Sequence, residues 1–331
     1  MRKKWIRGGI FLCLVLLLLS NLNRILCVKS PHGVDQARYL YVQPKNKIDV
    51  LFLGSSHVHC NVNTQLLWDE YGMAAYLMTG AEQPLWNSYY NLKEALKTQK
   101  PKLVVLDMFC PSRFYDDFQP GWADENLDGM RISLNKLEAV YTSVQEEQSH
   151  FFLGFTEYHS RYDQLTTEDF QNFIWNRKTQ ERWKGYTPLN RHAELTEPDM
   201  SHVTTSQEMT EKSKEYFEKI VELTKKEGIT LALISGPYLL EERDQKVYNS
   251  IGQLAEKDGL LFWNTNTPAH YREMGLDFST DYADHAHLNE AGGAKYTAYL
   301  GKWLSQNYSF PDRRGQKGYE SWENQLMKSG E

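Results

Sequence analysis

Apolar residues along this chain gather into five short runs, Ile48–Leu53, Ala74–Met78, Leu103–Asp107, Thr230–Ser235 and Leu260–Trp263. Runs of this length without strict polar alternation are the pattern of strands covered on both faces. Between them apolar positions recur at helical spacing, most clearly over Leu85–Thr98 and Glu211–Lys226. A further helix begins near Asn289 and sets Tyr296, Leu300, Trp303 and Leu304 on one face. Thr205-x-x-Glu208 ahead of the helix at Glu211 has capping-box spacing, and Gly228 behind it is a helix stop. This alternation predicts an α/β domain over residues 45–306, with a central parallel sheet of about five strands, right-handed crossovers and helices on both faces.

Residues 111–201 break the alternation and predict a helical cap inserted between the third and fourth strands, rising over the carboxyl edge of the sheet. Helices are expected there at Leu134–Gln145 and Thr167–Trp175. The insertion carries Phe114, Tyr115, Phe118, Trp122, Tyr158, Tyr162, Trp175, Trp183 and Tyr186, with Asp116, Asp117 and Asp124 among them. Aromatic faces with nearby acids suit sugar rings; they also suit a cap's own core, which is the favoured reading for most of them. Trp122, and His159 and Arg161 of the polar cluster Tyr158-His159-Ser160-Arg161, are candidates for binding substrate, the alternative for the cluster being a plain surface turn.

Both termini differ from the body. Arg2, Lys3, Lys4 and Arg7 precede the apolar run Gly8–Ser20, so residues 1–30 predict a membrane segment. Thirteen helical residues span only about 20 Å, which puts Asn21, Asn23 and Arg24 at the outer interface unless Ile25–Val28 extends the helix. A cleaved signal peptide is the competing reading, but no small-x-small site follows the run, and an uncleaved anchor is favoured. The cations ahead of the run outnumber Arg24 and Lys29 behind it, which predicts a cytoplasmic N-terminus and an extracytoplasmic domain. The tail 311–331 is polar and expected to be loose.

The 331 residues, 41% hydrophobic and 13% aromatic, suffice for one sizeable core. Six of the 37 Lys and Arg lie in the first 30 residues, leaving 31 against 43 Asp and Glu in the body. A body that acidic argues against nucleic acid as partner and leaves neutral glycans and small esters open. Cys13 and Cys27 belong to the anchor; Cys60 and Cys110 each follow a strand and form either a disulfide or, the favoured reading, two free buried thiols.

Two stretches carry candidate chemistry. The first strand runs into Gly54-Ser55-Ser56-His57, and Asp284-His285-Ala286-His287-Leu288-Asn289 precedes the last helix. A serine hydroxyl becomes a nucleophile when an imidazole takes its proton and a carboxylate fixes that imidazole's tautomer. Asp284 and His287 can meet within one loop, and Gly54 permits the sharp turn that lifts a serine above the sheet's carboxyl edge. Ser55 and Ser56 both satisfy this reading. A competing one places a transition metal among His57, His59, His285, His287 and Asp284, because alternation along an extended chain aims both members of a His-x-His pair the same way. The bland alternative makes His57, His59 and His285 polar groups lining a wet pocket.

These segments resemble the SGNH/GDSL hydrolase superfamily, whose first block is Gly-Asp-Ser and whose last is Asp-x-x-His. Gly54-Ser55-Ser56 aligns with the first, with Ser55 in place of the Asp, and Asp284-x-x-His287 with the last. The resemblance continues through Thr79–Pro84, Trp86–Lys93, Pro101–Asp107 and Asp277–Asp284, and together these segments look like the membrane-anchored SGNH proteins of Gram-positive bacteria. It implies a three-layer flavodoxin-like fold, a Ser56-His287-Asp284 triad, no cofactor, and an oxyanion hole built from the Ser56 and Gly80 N–H groups. The third-block asparagine is replaced by Met108-Phe109-Cys110, so Gln83 is the nearest substitute donor, and loss of one donor typically costs about a hundredfold in rate or more. His57 is then a candidate substrate contact. The resemblance also implies an esterase or O-acyltransferase for acyl, chiefly acetyl, groups on a cell-surface glycan. A multi-pass membrane acyltransferase is the implied partner. A non-catalytic accessory protein on the same scaffold is the contrasting class.

Overall fold

The computed structural model describes residues 2–27, 30–114, 116–152, 158–167, 169–170 and 183–323. Five parallel strands, β1 Val50–Gly54, β2 Ala75–Thr79, β3 Leu103–Asp107, β4 Thr230–Ser235 and β5 Leu261–Asn264, form one sheet in the order β2-β1-β3-β4-β5. Val50 pairs with Ala75 on one side and with Leu103 on the other, so β2, β1 and β3 end level at the carboxyl edge. The helices are α1 Arg2–Leu26, α2 Val34–Leu40, α3 Ser56–His59, α4 Thr64–Tyr71, α5 Leu85–Ala95, α6 Phe109–Arg113, α7 Ala123–Leu127 and α8 Leu134–Ser143. They continue with α9 Glu211–Glu227, α10 Glu242–Asp258, α11 Pro268–Met274, α12 Glu290–Asn307 and α13 Glu320–Glu323.

Strand residues divide between two cores by parity. Leu51, Leu53, Tyr76, Val104 and Leu106 pack with α5, α9 and α10, while Val50, Phe52, Leu77, Val105 and Ile234 pack with α4, α11 and α12. Burial on both sides is why these strands read as unbroken apolar runs. The result is the expected α/β fold, three layers in the flavodoxin-like strand order.

Some details differ from the sequence reading. Helix α9 starts after Thr210, whose hydroxyl accepts from Ser213 N–H at 3.1 Å; Thr205 and Glu208 lie in the extended approach and form no capping box. In the tail, Arg313 forms two hydrogen bonds to the Asp49 carboxylate, and Trp322, fully buried, donates to the Ala75 carbonyl at 3.0 Å. Residues 311–323 are therefore fastened to the sheet's amino end rather than loose, held by Trp322 and Tyr319 against Trp68.

The described residues of the insertion lie partly on the body of the domain and partly beside the carboxyl edge, where Asn126 meets Gly80 and Arg191 meets Asp284. Helix α8 lies along α5, with Ser143 Oγ donating to Asn87 and Asn135 Nδ2 to the Tyr90 carbonyl. The expected helix at Thr167–Trp175 falls for the most part outside the described residues. Helix α1 runs 25 residues, longer than the apolar run alone, because nothing between Gly8 and Leu26 breaks a helix. Its segment Lys3–Leu26 is long and apolar enough to cross a membrane and is almost wholly unburied. Its end is held to the domain: Leu26 and Cys27 pack on Tyr158, and Arg161 donates to the Leu26 carbonyl.

Candidate active site

In the strand order found here the chain departs from β1 and β3 in opposite directions, which opens a crevice at their carboxyl ends. Strand β1 ends on Gly54 with φ 149°, where a Cβ would stand 2.5 Å from the Asp107 Cβ, so only glycine fits. Ser55, fully buried, caps α3: its hydroxyl accepts from His57 N–H at 3.2 Å and donates to Asp107 Oδ2 at 3.4 Å. Ser56 opens the helix and is partly exposed. Of the two serines it is Ser56 that meets the distant histidine, with Oγ 2.8 Å from His287 Nε2.

The histidine is fixed from behind. His287 Nδ1 lies 2.8 Å from Asp284 Oδ1, which also accepts the Ala286 and His287 N–H groups at 2.9 and 3.0 Å. Since a carboxylate only accepts, Nδ1 carries the proton and Nε2 presents its lone pair to Ser56. Arg191 holds the other oxygen, Oδ2, at 2.9 Å. Burial alone would raise the Asp284 pKa. The His287 hydrogen bond and charge, the Ala286 N–H and Arg191 together outweigh it and hold the carboxyl well below the usual range. The loop is fastened to the nucleophile's helix by buried Asn61, whose Oδ1 accepts Leu288 N–H at 3.0 Å and whose carbonyl accepts the Thr297 hydroxyl.

Behind Ser56 the crevice is closed and apolar. His57, the candidate substrate contact, is buried, stacked on Phe109 at 4.3 Å and edge-on to Tyr238 at 5.0 Å. Burial and the His287 charge push its pKa well down, so its 4.0 Å approach to Asp107 is a contact of a neutral ring and no ion pair. Asp107 is raised to about 7 by burial, against the Phe109 N–H and the Ser55 hydroxyl and N–H.

The expected oxyanion donors are differently employed. Ser56 N–H, in the first turn of α3, has no acceptor among the described residues. Gly80 N–H donates to the Gly54 carbonyl at 3.2 Å. Gln83 is buried in a side-chain network, donating one Nε2 hydrogen to Ser88 at 2.9 Å and accepting from Asn91 at 2.7 Å. A Cβ on Gly80 would meet Asn126 Oδ1 of the insertion at 2.3 Å, which explains the glycine; Asn126 itself donates to the Ala81 and Trp122 carbonyls.

Of the remaining candidates, Trp122 is half exposed and hydrogen-bonds the Glu82 carboxyl on the turn after β2, beside the crevice. Arg161 is turned to the end of α1 and to Asp169, and His159 shares its 3₁₀ turn His159–Asp163, so neither is placed at Ser56. The four histidines of the two His-x-His pairs do not converge. Residues 56–59 are helical, and side chains two apart on a helix diverge by about 200° rather than aligning as on a strand. His59 turns to His32 and Thr79, and His285 is exposed. Cys60 and Cys110 are free buried thiols. Arg191, Asn61 and Asp107 were not singled out from sequence: each acts across a long chain separation and carries no local signature. No family model and no curated protein matches this chain.

Proposed function

We propose that the chain is a membrane-anchored, extracytoplasmic serine esterase or O-acyltransferase of SGNH type, acting on acyl esters, chiefly acetyl, of a cell-surface glycan. The observation that carries this reading is the continuous line from Ser56 Oγ to His287 to Asp284, each link 2.8 Å. His287 Nε2 takes the Ser56 proton as Oγ attacks the ester carbonyl. The oxyanion forms beside the Ser56 N–H. As the carbonyl re-forms, the alcohol leaves with the proton from His287 and an acyl-serine remains. Water or a sugar hydroxyl, deprotonated by the same histidine, then releases the acyl group. The anchor helix supports a site held at the membrane, within reach of a multi-pass acyltransferase partner.

A second reading is a non-catalytic glycan-binding or membrane-partner protein on the same scaffold. It is favoured by the employment of Gly80 N–H and of one Gln83 hydrogen elsewhere, which leaves Ser56 N–H as the available backbone donor of the expected set. A fluorophosphonate probe on the full-length protein separates the two. Labelling of wild type that vanishes in Ser56→Ala is the expected result. A folded wild-type protein that takes no label overturns the enzyme and leaves the binding role.

A further inference from the structure

On the inner side of the nucleophile's helix, His32, His59 and Cys60 bring one ligand atom each to within 4.8 Å of one another. The closest pair is His32 Nδ1 and His59 Nε2, 3.1 Å apart. Two nitrogens bound to one tetrahedral ion at about 2.0–2.1 Å stand roughly 3.4 Å apart, so this pair already has nearly that spacing. The thiol needs to move by about an ångström at most to complete three ligands with zinc–sulfur near 2.3 Å.

The surroundings fit a ligand set better than a packed histidine pair. His59 is fully buried, and its far nitrogen, Nδ1, lies 3.1 Å from Thr79 Oγ1. A hydroxyl that accepts the outer N–H of a ligating imidazole fixes the tautomer whose inner nitrogen is free to bind, the usual support of a metal-bound histidine. Cys60 is 1% exposed and unpaired, so its sulfur is not committed to a disulfide. The three residues also come from separate functional pieces: His32 from the linker behind the anchor helix, His59 and Cys60 from the turn carrying Ser56. The His32 carbonyl already accepts Ala81 N–H, at the end of β2.

We propose that His32 Nδ1, His59 Nε2 and Cys60 Sγ bind a borderline divalent transition ion, zinc in the first place, with a fourth position left to solvent. Two imidazoles and one thiolate are the donor set that zinc takes in preference to magnesium or calcium. Binding displaces the thiol proton to solvent and leaves a thiolate on the metal; His59 keeps its proton on Nδ1, while His32, whose Nδ1 proton bridges to His59 Nε2 in the metal-free protein, gives that proton to solvent and carries its ring proton on Nε2 instead. The bound ion clamps the anchor linker onto the helix of the nucleophile. It takes no part in the serine chemistry, and the proposal stands or falls independently of it.

The test is metal content of the full-length protein purified in detergent under reducing, zinc-replete conditions, with cobalt(II) as a spectroscopic probe. The expected result is one zinc per chain, a thiolate-to-cobalt charge-transfer band, and loss of both in Cys60→Ser and His32→Ala. Thr79→Val preserves shape and all three ligands; its zinc affinity is expected to fall about 10–100-fold. Absence of stoichiometric zinc and of the cobalt band in wild type overturns the site. So does zinc retained by both ligand variants, or an unchanged affinity in a folded Thr79→Val protein.

Discussion

Asp107 sits where β3 ends, fully buried, its carboxyl raised from 3.8 to about 7. Because the folded value lies above the unfolded one, the folded protein holds a proton across that interval that the unfolded chain releases. Its contribution to stability is greatest below about pH 4 and is lost as pH rises through 7. Asp107→Asn keeps an acceptor for the Ser55 and Phe109 donors without the titration. The variant should gain on wild type by about 3 kcal/mol between pH 5 and pH 8, at roughly 1.4 kcal/mol per pH unit. Urea unfolding of both proteins at the two pH values measures it, and parallel pH profiles contradict it. At this scale the sequence exposed Ser56, His287 and Asp284, because their types and local spacing already specify a chemistry. Asp107 was visible only as the last residue of a strand, since its perturbation comes from the lid of apolar side chains that tertiary packing places over it.

Helix termini show how far local pattern reaches. The periodicity located α9, and Gly228 ends it in the left-handed conformation at φ 68°. The start at Glu211 agrees with the sequence reading, but the cap is Thr210 and not Thr205: two threonines compete for that role, and Thr210 is the one directly before the first helical turn. Thr210→Ala should cost about 1 kcal/mol and Thr205→Ala within a few tenths of zero, which chemical denaturation distinguishes. Equal costs would return the cap to Thr205. The short helix α3 makes the same point with larger consequences. Read as extended, His57 and His59 point the same way; as a helix they part, His57 to the apolar pocket under Asp107 and His59 to His32. Nothing in four residues decides between those states. The N–H groups that Ser55 caps, and the sheet edge they stand on, do.

Over the whole molecule, the parallel sheet gathers pieces that lie far apart in the chain. The C-terminal segment is the clearest instance: Trp322 fills the space under Trp68 and Ala75, with the Lys184 ammonium 4.0 Å above its ring. That lysine is itself buried and bonded to Gln43 and Ser321. Trp322→Ala should therefore destabilise the entire domain by about 3–5 kcal/mol, the range for a buried aromatic truncated to alanine. A thermal melt unchanged by the substitution shows instead that the tail is dispensable. The insertion also gains its meaning at this scale. One limb sets Asn126 on Gly80 and the other sets Arg191 on Asp284, so it flanks the crevice while leaving Ser56 partly open to solvent.

What the chain determined by itself were the elements that depend on near neighbours: five strands, four of them buried and the edge strand β5 partly exposed, the main helices, an apolar N-terminal helix, and a loop in which an acid steadies a histidine. Those follow from periodicity and short-range hydrogen bonding, both written in consecutive residues. The tertiary structure alone decided which serine faces His287, which donors remain beside it, where His59 turns, and that the tail is part of the core. Apart from Gln83, which is held by Ser88 and Asn91 close by in the chain, those outcomes are set by distant groups meeting at one sheet edge or one core face, and their separation in the chain leaves no local trace.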